Sequence, residues 1–231
     1  VPRWTNENTW DDAIRVASSR YNVPVSLIKA IIGTESAFRP TAYRGEVAIG
    51  DGSIGLMQIL LNTARGEGYT GPVGSPSLLS GLYDPPTNIV YGTAYLASCL
   101  SRTGSVSDAI SAYNGGVRPD LGFGAVATRQ VTVCLARDAT GKCIQTKTVM
   151  PGHYANEDYV GKVLGNLAYF EQQTHTTPTV IPASPPLGGA YQSVESEADR
   201  RINRAVDRPV GTPQSFITTV LSFLRRLWWK E

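Results

Sequence analysis

The chain reads as a mainly α protein of the α+β kind, and three observations carry that reading. Most of residues 9–173 falls into amphipathic stretches at helical spacing, punctuated by Pro and Gly. Residues 128–149 alternate instead and are rich in Val and Thr around the turn-forming "RDATGK". After residue 174 the composition shifts to a Pro-rich stretch and then to charged, amphipathic sequence.

The first helix is predicted from Trp10 to Tyr21, with Thr9 as its N-cap and Trp10, Ile14, Ala17 and Tyr21 inward. Pro24 breaks it, and Ser26 is placed to cap a second helix that carries Glu35 and stops before Pro40. A Gly-rich loop, "GEVAIGDGSIG", leads into "LMQILLNTARGEG", read as another helix. A long helix enters at Asp84-Pro85, with Ile89, Gly92, Leu96 and Leu100 on one side. "SVSDAISAYNGG" makes a short helix closed by Gly115 in the left-handed conformation. The alternating segment then forms a β-hairpin, inserted before a last long helix. On that helix Tyr159, Val160, Val163, Leu164, Leu167 and Phe170 face inward. Cys134 and Cys143 stand nearly symmetrically about the hairpin turn, so a cross-strand disulfide and two unpaired thiols both remain open. Cys99, on an apolar helical stretch, is expected as a buried packing residue.

Residues 1–174 are thus expected to form one domain, followed by a Pro-rich linker over 175–190 and a helical tail over 191–231. The tail closes with an amphipathic helix whose apolar face carries Phe216, Ile217, Val220, Leu221, Leu224, Leu227 and Trp228. Arg225, Arg226 and Lys230 suit its C-terminal dipole, and the Trp228-Trp229 pair suits a membrane surface or a protein groove. Folding back onto its own domain is the competing reading.

The 231 residues are 42% hydrophobic and 17% charged, with a net charge of +2 and no Lys/Arg-rich run, so no nucleic-acid partner is expected. No CxxC, HExxH or His-rich cluster is present, and no dinucleotide or P-loop motif, so neither a metal nor an organic cofactor is expected. No apolar run reaches the length of a membrane span. The chain starts at Val1 rather than Met, which suggests a processed or engineered start at which a signal peptide could have been lost without trace.

One residue breaks its own pattern. In "SLIKAIIGTESAF" the positions Ile28, Ile31, Ile32 and Glu35 fall at i, i+3, i+4 and i+7, so an apolar stripe ends in a carboxylate. Burial penalises the charged form and raises the pKa. A glutamate held that way keeps its proton near neutral pH and can donate it to a leaving group, as glycosidic cleavage requires. The plain alternative is that the helix register drifts and Glu35 lies at the solvated edge.

The order of four motifs, "ESAFRPTA", "GSIGLMQI", "AISAYNGG" and "YVGKVL", resembles the soluble-type lytic transglycosylase domain, a lysozyme-like relative of goose-type lysozymes. The resemblance spans roughly residues 9–172 and implies a peptidoglycan lytic transglycosylase with Glu35 as sole catalytic acid/base. It further implies a saccharide cleft built from Gly55, Met57 and Gln58, from Tyr113 and Asn114, and from Tyr159 pointing at the catalytic carboxyl. Ser36 is open between helix packing and a cleft contact. Residue chemistry is compatible: Gly55 lets backbone approach a ligand, and the Gln58 and Asn114 amides can pair with sugar hydroxyl or acetamido groups. In one departure, Ala155 stands where relatives often carry a Glu four residues before the tyrosine, and Glu157 is out of step.

In that family one carboxyl suffices. It protonates the glycosidic oxygen, then takes the proton of the muramyl 6-hydroxyl as that oxygen closes on C1 to give a 1,6-anhydro product. Two rival readings stand beside it. One is a hydrolytic muramidase in which Asp51 or Glu46 activates water, with Asp84 and Asp120 as further candidate carboxylates. The other is an assembly protein that binds glycan strands without turnover. The resemblance and the tail together suggest action in the periplasm or cell wall. They also suggest carriage on a larger assembly, such as a phage virion or a secretion apparatus, docked through the last helix or against a membrane surface.

Overall fold

A computed structural model describes residues 2–118, 121–138 and 140–176. The last helix runs on through His175 and Thr176, the first two residues of the expected linker; the rest of the linker, the tail over 191–231 and Asp120 lie outside the described residues.

Six helices, α1 (Asp11–Tyr21), α2 (Val25–Ser36), α3 (Leu61–Gly66), α4 (Pro85–Arg102), α5 (Val106–Gly115) and α6 (Glu157–Thr176), form the main body of the described chain. Their starts use different chemistry. Asp84 accepts from the Thr87 amide at 3.1 Å and Pro85 follows at the first helical position, which is why α4 begins there. Ser105 caps α5 by accepting from the Asp108 amide at 3.0 Å. Neither predicted cap forms on α1 or α2: Trp10 and Pro24 hold the cap positions without side-chain bonds, and Ser26 lies inside α2. Pro24 starts α2 through its backbone, its carbonyl accepting from the Leu27 and Ile28 amides.

The segment expected as a Gly-rich loop is a small antiparallel sheet. Strand β1 (Tyr43–Glu46) pairs with β2 (Asp51–Ile54), which pairs with β3 (Ile59–Leu60). A 3-10 turn over Val47–Ile49 and Gly50, at φ +62°, reverse the chain between β1 and β2. Glycines at 45 and 52 leave no side chain to count, so no alternation was visible. The same sheet shortens the expected third helix, which begins only at Leu61.

Two packing centres share α4. The larger gathers Ile14, Leu27, Ile28, Ile31, Phe38, Leu96, Ile110 and Val163 from α1, α2, α4, α5 and α6. The smaller gathers Ile54, Ile59, Tyr69, Leu82, Val90 and Tyr91 beneath the sheet. Ile89 and Leu96 serve the first and Val90 and Tyr91 the second, so α4 is buried around most of its circumference rather than on the one side expected. Cys99 is fully buried and free, as the apolar stretch suggested. On α6, Val160, Val163 and Phe170 are buried, Tyr159 and Leu167 are half-buried, and Leu164 is 37% exposed against expectation. Gly115 ends α5 in helical register, and Gly116, at φ +58°, makes the turn instead.

The inserted hairpin pairs β6 (Val131–Arg137) with β7 (Cys143–Val149), after a short pairing of β4 (Val117–Arg118) with β5 (Gly122–Phe123). Cys134 and Cys143 are joined as a disulfide, with Cα atoms 5.8 Å apart, which resolves the open choice toward the cross-link. Val133 and Val149 bury against Ala127 and Ala155 in a satellite core. Ala155 is therefore a packing residue, and Glu157 instead meets His153 at 2.9 Å.

Candidate active site

Glu35 sits in the last turn of α2, at the wall of a cavity of about 370 Å³. The opposite wall is the small sheet, with Arg44, Glu46 and Ser53, and the end of α5 supplies Tyr113 and Asn114. Tyr159, from the first turn of α6, donates its hydroxyl to Glu35 Oε1 at 2.6 Å. Burial pushes the Glu35 carboxyl up to about 7, against the bond from Tyr159 and the Arg44 cation, which favour the charged form; Glu46 adds to the rise. The helix register has not drifted. It aims Glu35 into a polar cavity instead of the core.

Behind the cavity, the quoted motifs brace one another. Ser36 is 2% exposed and donates to the Leu56 carbonyl at 2.7 Å, tying the residue beside Glu35 to the "GLMQ" loop. Tyr113 donates to the Met57 carbonyl at 2.8 Å, so its hydroxyl holds the same loop from α5 while its ring lines the cavity. Asn88 of α4, fully buried, accepts from the Met57 amide at 2.8 Å and donates to the Ile54 and Leu82 carbonyls at 2.8 and 2.7 Å. Gln58, at φ +47°, spends its amide nitrogen on the Ala42 and Gly55 carbonyls at 3.1 and 2.9 Å.

Of the predicted residues, Glu35, Gln58, Tyr113 and Asn114 line the cavity and Tyr159 touches Glu35. Ser36, Gly55 and Met57 do not line it. Gly55 has φ +73°, and a Cβ there would collide with the Asn88 amide, so its close approach is to a packed side chain rather than to a ligand. Met57 is fully buried and lies over Gly92, where a Cβ would stand 2.5 Å from its sulfur. All three act as supports. Sequence reasoning passed over Arg44, Ser53, Thr63 and Tyr95, which also line the cavity. The signal for Arg44 was its two-residue spacing from Glu46, which places both on one face of a strand.

The candidate second carboxylates separate clearly. Asp51 accepts from the Gly52, Leu61 and Asn62 amides at 2.7, 3.1 and 3.0 Å, which commits both its oxygens to backbone at the start of α3. Asp84 caps α4. Glu46 alone of the three lines the cavity, and its Oε1 accepts from Arg44 Nε at 2.8 Å, Arg44 Nη2 at 2.7 Å and Ser53 Oγ at 2.9 Å. Among the described residues no His/Cys/Asp/Glu group is arranged to hold a metal ion.

A helical body facing a small sheet across a cleft, with one proton-retaining carboxyl at the end of a buried helix, defines a lysozyme-like domain. Comparison with known proteins narrows the class. Residues 12–121 match the family described as Transglycosylase SLT domain. Over that stretch, just under half of its length, the chain is similar to transglycosylase SLT domains. Membrane-bound lytic murein transglycosylase C of Yersinia enterocolitica is 35% identical over 161 residues, covering 65% of this chain and 43% of that protein. The protein of the same name from Serratia proteamaculans is 37% identical over 161 residues, again 65% of this chain and 43% of the relative. The transglycosylase of Enterobacteria phage PRD1 is 36% identical over 107 residues, 46% of this chain and 35% of the phage protein. The chain thus spans less than half the length of these relatives.

Proposed function

We propose that the protein is a peptidoglycan lytic transglycosylase that cleaves the β-1,4 bond between N-acetylmuramic acid and N-acetylglucosamine. The observation that carries this reading is Glu35, held by Tyr159 in a polar cavity and carrying a proton up to about pH 7. Protonated, Glu35 gives its proton to the glycosidic oxygen as the bond to C1 breaks, and the substrate's 2-acetamido group stabilises the cationic centre. The carboxylate so formed is met by the Tyr159 hydroxyl and the Arg44 charge, both of which favour its ionised form. It then takes the proton of the 6-hydroxyl as that oxygen bonds to C1, which closes the 1,6-anhydro ring and returns Glu35 to its starting state. No water is consumed, so no second base is needed. No cofactor is required by this scheme.

Glu46 supports a second reading, because it is a carboxylate in the same cavity. Acting on water it would give hydrolysis, but three donors already occupy its Oε1. Mass analysis of muropeptides from digested cell wall decides: anhydro ends, lighter by one water, are expected, whereas reducing ends would establish the muramidase. Glu35→Gln should lower release at least about a hundredfold with its helical circular dichroism unchanged. A variant that releases muropeptides like the wild type would remove Glu35 from the chemistry and overturn the scheme.

The working place is the cell wall or periplasm, in keeping with the membrane-bound murein transglycosylases and the phage protein among its relatives. The tail over residues 191–231 serves as the docking element to a larger assembly, such as a virion. Deleting residues 176–231 should abolish incorporation into that particle while wall digestion in solution persists. Incorporation of the truncated chain would defeat the docking role.

A further inference from the structure

The β6–β7 hairpin lies beyond residues 12–121, so the family match does not account for its surface. Its strands run seven residues each, a length of about 23 Å. Only the base is anchored. Val133 and Val149 are buried in the satellite core, whereas from Cys134 through Thr146 no described residue is buried. The distal half therefore stands out into solvent, braced by the Cys134–Cys143 disulfide.

Two features concentrate on this hairpin. The ladder pairs Cys134 with Thr146, Ala136 with Gln145 and Arg137 with Cys143, so its register skips Leu135 and Ile144. Each of these bulge residues follows one of the cross-linked cysteines, and they are 43% and 64% exposed. The second feature is charge. Arg129, Arg137, Lys142 and Lys147 against Asp138 give residues 128–149 a net charge of +3, more than the +2 of the entire chain. Among the described residues none of the four cations enters an ion pair. Asp138 is committed to the turn, where it accepts from the Thr140 amide, the Thr140 hydroxyl and the Lys142 amide at 2.9, 2.6 and 3.0 Å.

Lysines and arginines on a free strand edge guard against pairing with another chain. That accounts for the cations and not for Leu135 and Ile144, whose exposure to water is unfavourable. A projecting tip offers a protein or a sugar no groove to fill. Aliphatic side chains flanked by cations do suit the headgroup layer of an anionic bilayer. We infer that the hairpin is a membrane-touching wedge: Leu135 and Ile144 enter the acyl boundary of a bilayer bearing anionic lipid, while Arg137 and Lys142 meet its headgroup phosphates. This surface is independent of the chemistry at Glu35.

Hydrogen exchange of the full chain, read by mass spectrometry on peptides from residues 131–149, reports the hairpin separately from the tail. Vesicles of phosphatidylcholine with phosphatidylglycerol should slow exchange there, and vesicles of phosphatidylcholine alone should not. Arg137→Gln with Lys142→Gln should raise the lipid concentration for half-protection about thirtyfold. Leu135→Asn with Ile144→Asn should abolish the protection. All four positions are exposed, so both double variants should keep the wild-type Tm. Unchanged exchange with anionic vesicles, equal protection by phosphatidylcholine alone, or protection that survives both double variants would overturn the inference. So would equal protection by soluble polyglutamate, which would mark an acidic protein partner instead.

Discussion

Glu35 is governed by two opposed influences from its neighbours. Burial holds the proton on, while the Tyr159 hydroxyl and the Arg44 charge ease its departure, and the balance falls at about 7. The acid form must be present for the first step, so turnover should fall as pH rises through about 7. Tyr159→Phe deletes a bond that favours the ionised form. It should raise the Glu35 pKa, move the alkaline limb of the pH–rate profile to higher pH, and lower kcat about tenfold. A fall in activity with the limb unmoved would mean that Tyr159 only packs.

At the scale of elements, the "GLMQ" loop is held by three helices at once, through Ser36 of α2, Asn88 of α4 and Tyr113 of α5. Asn88 is the costliest to remove, because it satisfies one amide and two carbonyls in a buried place. Asn88→Ala should cost about 3 kcal/mol in urea unfolding, since unpaired buried polar groups keep their desolvation penalty. It should also depress activity, although Asn88 does not line the cavity. Normal stability would show that solvent replaces all three bonds. The hairpin β6–β7 is organised differently, with a satellite core and a disulfide in place of a share in the main core.

Among the described residues, burial makes two carboxyls hold protons: Glu35 and Glu67, each pushed up from 4.5 to about 7. Between those values the folded chain binds more protons than the unfolded one, so stability is full below about 4.5 and declines as pH rises to about 7. A thermal melt series should therefore give a higher Tm at pH 5 than at pH 8. Glu67→Gln should shrink the difference, since Glu67 is 8% exposed and stands outside the catalytic cavity. A pH-independent Tm in the wild type would contradict both buried assignments.

Local order along the chain was enough for much of this architecture. The Pro and Gly punctuation located five of the helices, Val/Thr alternation located the hairpin, and the Ile-Ile-Glu stripe singled out Glu35, because each of these signals is carried by residues within one or two turns of one another. The sheet from Tyr43 to Leu60 escaped notice because glycines erased its alternation, and with it went Arg44 and Ser53. The roles of Ser36, Gly55 and Met57 could be settled only by what packs behind them, namely Leu56, Asn88 and Gly92. A residue type states which bonds a side chain can make. Whether those bonds go to a ligand or to the protein's own backbone depends on neighbours brought in from 20 to 36 positions away.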